Sequence, residues 1–417
     1  MNDVIKQLFL EALNASLHGE RVRWENPLDV KDWAALFQLA QEHQVLPMIF
    51  EAVYACPAAQ SADARLMQLA KRQTMQSVMM QAMKTGELLA LVKHLRAAGV
   101  TPCVVKGAVC RSLYPSPDHR ISGDEDVLIP PEQFERCHEA MLAFGMRPAD
   151  PEQDIQSAHE VPYGKPGSPL YIELHKHLFP PESDAYGDFN RFFADAHAHT
   201  TEIVVDGTPL TTISPTDHFF YLICHAFKHF LHSGFGIRQV CDIVLFAGHY
   251  GREIDWTAVL ENCREIRAEQ FTTALLKIGQ KHFGFDPEAA GMPQAWQAIS
   301  VDEGPMLSDL LDGGVFGDAS MSRKHSSTLT LGAVAADKRG KKAEGNVLRT
   351  LFPGRKALEG RYPFLRTKPW LLPVAWARRI AHYAWERRGA GAENNAAESL
   401  RIGSERVELL RRYGIIK

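Results

Sequence analysis

The apolar positions of the chain fall into three textures. Over roughly the first hundred residues they recur every three or four positions. "TMQSVMMQAMKTGELLALVKHLRAAGV" is the clearest stretch, and its Gly99 is a natural helix stop. The period then shortens. "TPCVVKG" and "DEDVLIP" read as strands framing a helical "AVCRSLY" and a Pro-rich loop, and "PEQFERCHEAMLAFGM" predicts a helix opened by proline and closed at Gly145. "AHEVPYG" and "PLYIELHKHLF", joined by "KPGS", predict one hairpin; "TEIVVDGTPLTTIS" predicts a second, turning at Asp206-Gly207. From about Pro215 the helical period returns in "TDHFFYLICHAFKHFLH", "GIRQVCDIVLFAGHYG", "DWTAVLENCREI" and "EQFTTALLKIGQKHFGF". Residues 314–345, rich in Gly, Ser, Ala and Lys, read as a flexible loop.

These textures divide the chain into an N-terminal helical region (1–98), an α/β core (99–213), a helical domain (214–313), the loop (314–345) and a basic helical C-terminal region (346–417). The expected fold class is α+β, with a small mixed sheet embedded between helical N-terminal and C-terminal regions.

Composition adds compartment and charge. No apolar run of about 18 residues occurs, so no transmembrane segment is expected. The N-terminus is acidic and amphipathic, unlike a secretory signal. Seven cysteines, an odd number without any CxxC pair, suit a reduced cytoplasm and argue against a disulfide framework or a thiolate zinc site. The net charge of -4 conceals an asymmetry: residues 321–417 carry 21 Lys and Arg against 8 Asp and Glu, and the rest of the chain 25 against 42. The basic third could meet an anionic partner, whether nucleic acid, acidic lipid or the acidic body of the chain itself.

The chemistry concentrates where "DEDVLIP" enters the core. Residues i and i+2 of a strand share a face, so Asp124 and Asp126 project together and Glu125 points to the other side. Two carboxylates so close repel unless a cation sits between them, and a hard divalent ion, Mg2+ or Mn2+, takes carboxylate oxygens while keeping places for phosphates. Glu173, in "YIELH", can supply a third carboxylate from a neighbouring strand; His175 and His177 share its face and either could orient it. Lys106-Gly107 follows a strand and opens a helix, where glycine allows close backbone approach and helix amides favour an anion. Lys106 and Arg120 add positive charge. Three carboxylates and a Gly-opened helix suit metal-assisted nucleotidyl transfer from an NTP.

At this point a resemblance becomes specific. "VVKGAVCRSLYPSPDHRISGDEDVLIPPEQFERCHEAMLAFGM" resembles the core of the uncharacterised bacterial nucleotidyltransferase family, within the polymerase-beta-like superfamily. "YIELHKHLF" is similar to its third-acid strand, "HAFKHFLHSGFGIRQVCDIVLF" to its later helices and "LFPGRKALEGRYPFL" to its C-terminal segment. The resemblance implies a polymerase-beta-like core, Asp124 and Asp126 as metal ligands with Glu173 as third acid, and Gly107 with Lys106 in place of a Gly-Ser phosphate loop. It further implies His225 and His229 facing the cleft and Arg238 as a phosphate contact. Two positions depart from the pattern: Ala108 offers no hydroxyl after Gly107, and the third acid is Glu rather than Asp.

Competing readings stay open. His218, His225, His229 and His232 lie on one helical face, and zinc binding, packing against the sheet or lining the cleft would each explain them. "KPWLLPVAWARRIAHYAWERR" suits a packed helix, a membrane-surface helix or a nucleic-acid arm. The enzyme reading competes with a nucleotide-binding or interaction protein that kept the fold and lost the chemistry. The acceptor and the base of the NTP are not legible.

Overall fold

The computed structural model describes residues 3–314, 321–339, 354–358, 362, 364–378 and 396–417. Helices α1 (Asp3–Leu17), α2 (Val30–Glu42) and α3 (Leu46–Val53) pack on one another and on the long helix α4 (Ala64–Ala97). Asp29 and Asp63 begin α2 and α4 by accepting the backbone N–H of Asp32 and Leu66, which an N-terminal helix turn would otherwise leave unpaired.

The α/β segment folds into one seven-stranded mixed sheet. Its strands are β1 (Cys103–Val105), β2 (Glu125–Leu128), β3 (Arg147–Pro148), β4 (Glu160–Gly164), β5 (Tyr171–His175), β6 (Thr200–Val205) and β7 (Thr208–Ile213), in the spatial order β3-β4-β5-β2-β1-β7-β6. The β2–β5 and β1–β7 pairs are parallel and the others antiparallel. The β6–β7 hairpin turns at Asp206 and Gly207, both with positive φ (46° and 71°), the backbone expected of a two-residue Asp-Gly loop. The short helix α5 (Gly107–Arg111) links β1 toward β2, and α6 (Phe134–Ala143) follows β2. Helices α7 (Pro215–Leu231), α8 (Ile237–Tyr250), α9 (Trp256–Glu265), α10 (Glu269–His282) and α11 (Gly304–Gly313) come next, with Ser214 capping α7 through the Asp217 N–H. All seven cysteines are free and buried.

The stretch 314–345 is not a loop throughout: α12 (Met321–Lys338) runs through it and packs against α13 (Ala396–Arg412). The physical reason lies far away in sequence. The last carbonyls of α7 need donors, and the Thr330 hydroxyl gives one to Leu231 (2.6 Å) while the Arg406 guanidinium reaches Phe230 and His232. Close contact between the two helices depends on Gly403, where a Cβ would lie 2.4 Å from Leu329 Cδ1. Basic side chains of this region bind the acidic body: Lys338 pairs with Asp188, Arg339 with Asp184, and Arg412 with Asp302. Much of "KPWLLPVAWARRIAHYAWERR", from residue 379, lies outside the described residues. Among the described residues no helix is long and apolar enough to cross a membrane.

Candidate functional site

Sheet register builds the site. Asp126 on β2 lies directly beside Glu173 on the parallel strand β5, and His175 follows two residues on, on the same face. The antiparallel β4 then sets Glu160 opposite His175. His175 Nε2 is 3.1 Å from Asp126 Oδ1 and 3.7 Å from Glu173 Oε2, and its Nδ1 is 3.5 Å from Glu160 Oε2. One ligand atom from each of Asp126, Glu173 and His175 lies within 4.8 Å of the others. His175 thus orients Asp126, rather than Glu173 as its spacing suggested. Asp124 precedes β2 and is half-buried; it acts on Glu173 and Lys106 through its charge but stands outside this trio.

Lys106 completes the face from the far side. Strand alternation alone does not bring it there. Its φ of 57° is rare for a residue with a side chain, and in that turned backbone its Nζ lies 2.7 Å from Asp126 Oδ2. Helix α7 supports the unusual conformation. His218 Nε2 accepts the Lys106 backbone N–H at 2.9 Å, and His225 Nε2 lies 3.1 Å from the ammonium. His229 packs on His225 with ring centroids 4.6 Å apart, and His232 meets the Tyr186 hydroxyl at 2.6 Å. The four histidines thus play different parts: His218 and His225 hold Lys106, His229 packs on His225, and His232 meets Tyr186. Among the described residues the metal-compatible grouping is the Asp126 trio, not this helix face.

Electrostatics follow from this crowding. Burial works against the Asp126 carboxylate, but Lys106 and His175 hold it well below its usual range. Burial, then the charges of Asp126, Asp124 and Glu160, push Glu173 up to about 7. The Lys106 ammonium is disfavoured by burial yet raised by Asp126 and Asp124, and burial pushes His218 and His229 down to about 3. The face thus gathers Asp126, Glu173, Asp124 and Glu160 around the Lys106 ammonium and a His175 ring whose protonated form burial opposes and Asp126 favours. A divalent cation fits the donor set, because its charge would offset the burial and the neighbouring carboxylates that raise Glu173.

The other predicted residues have different work. Glu125 points to the opposite face, as alternation requires, and is wholly buried. It accepts the Ala108 N–H (2.8 Å), Arg111 Nη2 (2.9 Å) and the Ser122 hydroxyl (2.9 Å). A Cβ on Gly107 would lie 2.0 Å from Glu125 Oε2. The anion at the N-terminus of α5 is therefore an internal carboxylate, and the glycine admits Glu125. Arg120 is also committed internally: its Nε and Nη2 grip Asp242 at 3.0 and 2.6 Å, and the Tyr114 hydroxyl donates to the same carboxylate at 2.8 Å. Arg238 donates to Gln44 (2.8 Å) and to the Ile121 carbonyl. Arg120 thus ties the loop between α5 and β2 to Asp242, and Arg238 holds the same loop at Ile121.

Sequence reasoning missed three residues here. Lys84 Nζ, from α4, donates to the Ser122 and Gly123 carbonyls at 2.5 and 2.7 Å and holds the approach to Asp124. Glu160 backs His175, and Tyr221 on α7 is buried within the field of all four carboxylates. The one available signal was Glu160's place in a strand-like run; its register with His175 could not be read.

A family model described as "uncharacterised nucleotidyltransferase" matches residues 29–284, more than half of the chain. No curated protein matches. No solved structure matches.

Proposed function

The chain belongs to the uncharacterised nucleotidyltransferase family, and on that premise we propose that it moves a nucleoside monophosphate from an NTP to an acceptor, releasing pyrophosphate. The observation that carries this reading is the register of Asp126 against Glu173 with Lys106 between sheet and helix. Asp126 would hold a divalent cation, Mg2+ or Mn2+, with Asp124 beside it. When bound, that cation supplies charge to the triphosphate and weakens the bond to the leaving pyrophosphate. The Lys106 ammonium, paired with Asp126, swings to a phosphate oxygen. The acceptor oxygen bonds to the α-phosphorus as the α–β bridging bond breaks, and pyrophosphate leaves with the electron pair. Glu173 either completes the hold on the cation or takes the proton the acceptor loses. A polymerase-beta-like arrangement of the core belongs to the same reading, and the unpaired cysteines support a reducing compartment, the cytoplasm.

One observation favours a second reading. The Ala108 amide is taken by Glu125, and Ala108 has no hydroxyl to offer a phosphate. A protein that binds nucleotide without transferring it would tolerate that. Incubation with each α-labelled NTP and pools of small molecules, protein and RNA separates the two. Label appearing on an acceptor, and absent with Asp126→Asn, supports transfer; nucleotide binding without labelled product in any pool supports the second reading.

A further inference from the structure

We infer that His175 is a direct nitrogen ligand of the cation, so that the site is built for a first-row transition ion such as Mn2+ rather than for Mg2+. This rests on the reading of the Asp126 face as a metal site. Mg2+ strongly prefers an all-oxygen octahedron, whereas imidazole suits the transition ions; Mn2+ accepts carboxylate and imidazole together. Asp124, Asp126 and Glu173, the three carboxylates that strand alternation suggested, would have suited Mg2+. The arrangement that folding produces is different: two carboxylates and an imidazole converge, and Asp124 stands aside.

Three features of His175 support ligation over simple packing. Its ring is 3% exposed, yet one nitrogen, Nε2, faces both acids, at 3.1 Å from Asp126 and 3.7 Å from Glu173. The other nitrogen, Nδ1, faces the Glu160 carboxylate at 3.5 Å and makes no hydrogen bond among the described residues, so Glu160 stands ready to take its proton once Nε2 is engaged by an ion. A carboxylate behind the remote nitrogen is the usual support of a metal-binding histidine, since it holds the proton on that side and aims the opposite lone pair at the ion. Finally, the placement is set by backbone. Asp126 pairs with Glu173 across β2–β5 and Glu160 with His175 across β4–β5, so the donors and the supporting acid lie on adjacent strands of one sheet. The incoming ion displaces Lys106 Nζ, at 2.7 Å from Asp126, and the His175 Nε2 proton, which bonds to Asp126 in its absence and leaves to solvent.

The test uses untagged full-length protein, stripped with chelator, and Mn2+ as the probe. Binding is followed by loss of the free-ion electron paramagnetic resonance signal, with Mg2+ as competitor, and nitrogen ligation by the 14N coupling of the bound ion. Mn2+ is expected to bind at least about tenfold more tightly than Mg2+, a modest preference for a site holding one imidazole. A 14N coupling should be present and should vanish in His175→Asp, which should also lose the preference. Glu160→Gln, at a half-exposed position that leaves the core intact, should keep the coupling and weaken Mn2+ binding by about 10- to 100-fold. Bound Mn2+ without 14N coupling, or equal affinities for the two ions, overturns the inference. If His175→Asp does not fold, the wild-type coupling and the Glu160→Gln affinity decide alone. Nucleotide transfer, assayed separately, distinguishes the failures. Transfer with either ion and no 14N coupling leaves the proposed function standing without this inference. Coupling that depends on His175, in a protein that consumes no NTP, leaves the metal assignment standing without the function.

Discussion

Replacing Gly107 with alanine tests the account of the strand entrance. The new Cβ would lie 2.0 Å from Glu125 Oε2 and 2.8 Å from its Cδ. Ordinary contact needs about 3.5 Å, so the carboxylate must retreat by roughly 1.5 Å. A free side chain would do so cheaply, but this one is buried and gripped by the Ala108 N–H, Arg111 and Ser122 at 2.8–2.9 Å. Losing two of these three bonds to a charged group, at about 1.5–3 kcal/mol each, costs about 3–6 kcal/mol. Alanine's better helix propensity returns about 1 kcal/mol. A net loss of about 2–5 kcal/mol is therefore expected, read as a lower urea midpoint at unchanged m-value. In a Glu125→Ala background the same substitution should cost close to nothing, because the obstacle is gone. Gly107→Ala within about 0.5 kcal/mol of wild type, with weaker nucleotide binding as its only effect, would refute the reasoning and return the glycine to a ligand-facing role.

Three further outcomes are expected. Asp242→Asn removes the charge partner of buried Arg120 and should destabilise by about 3–5 kcal/mol, against about 1 kcal/mol for Tyr114→Phe; equal small effects in urea melts would contradict this. Lys84→Met frees the Ser122 and Gly123 carbonyls, so hydrogen exchange at residues 121–124 should accelerate and divalent-ion affinity fall; unchanged exchange there would count against the tether. Glu173 keeps its proton to about 7 in the folded chain but loses it near 4.3 when unfolded, so between those values the folded state binds more protons. The stability of metal-free wild type relative to Glu173→Gln should fall as pH rises through that window, and saturating Mn2+ should remove the fall. A relative stability that rises with pH would reverse the assigned environment.

The site's centre was legible because it depends on local alternation. Asp126 and Glu173 each sit at an inward position of a strand-like run, and Glu125 between two acids had to face the other way. The turn at Asp206-Gly207 was legible for the same reason, being a two-residue signal. What escaped depends on contacts between distant segments. Arg120 and Asp242 are 122 residues apart, and nothing near Arg120 distinguishes a buried ion pair from a phosphate contact. Gly107 makes room for Glu125, a relation visible only once β1 and β2 pair. Lys106 reaches the acid face through a turned backbone that His218 supports from α7. Helix α12 read as a loop because it lies within a stretch, 314–345, rich in Gly, Ser, Ala and Lys, while its role, closing the end of α7 through Thr330, is set by tertiary packing.

The most direct test of the central claim is pyrophosphate release from each of the four NTPs with Mn2+ or Mg2+, wild type beside Asp126→Asn. The account predicts metal-dependent release by wild type in the presence of the acceptor pools, with preference for one base, and none from a variant that remains folded. Equal release from both proteins, or nucleotide binding that is indifferent to metal and to Asp126, would contradict it.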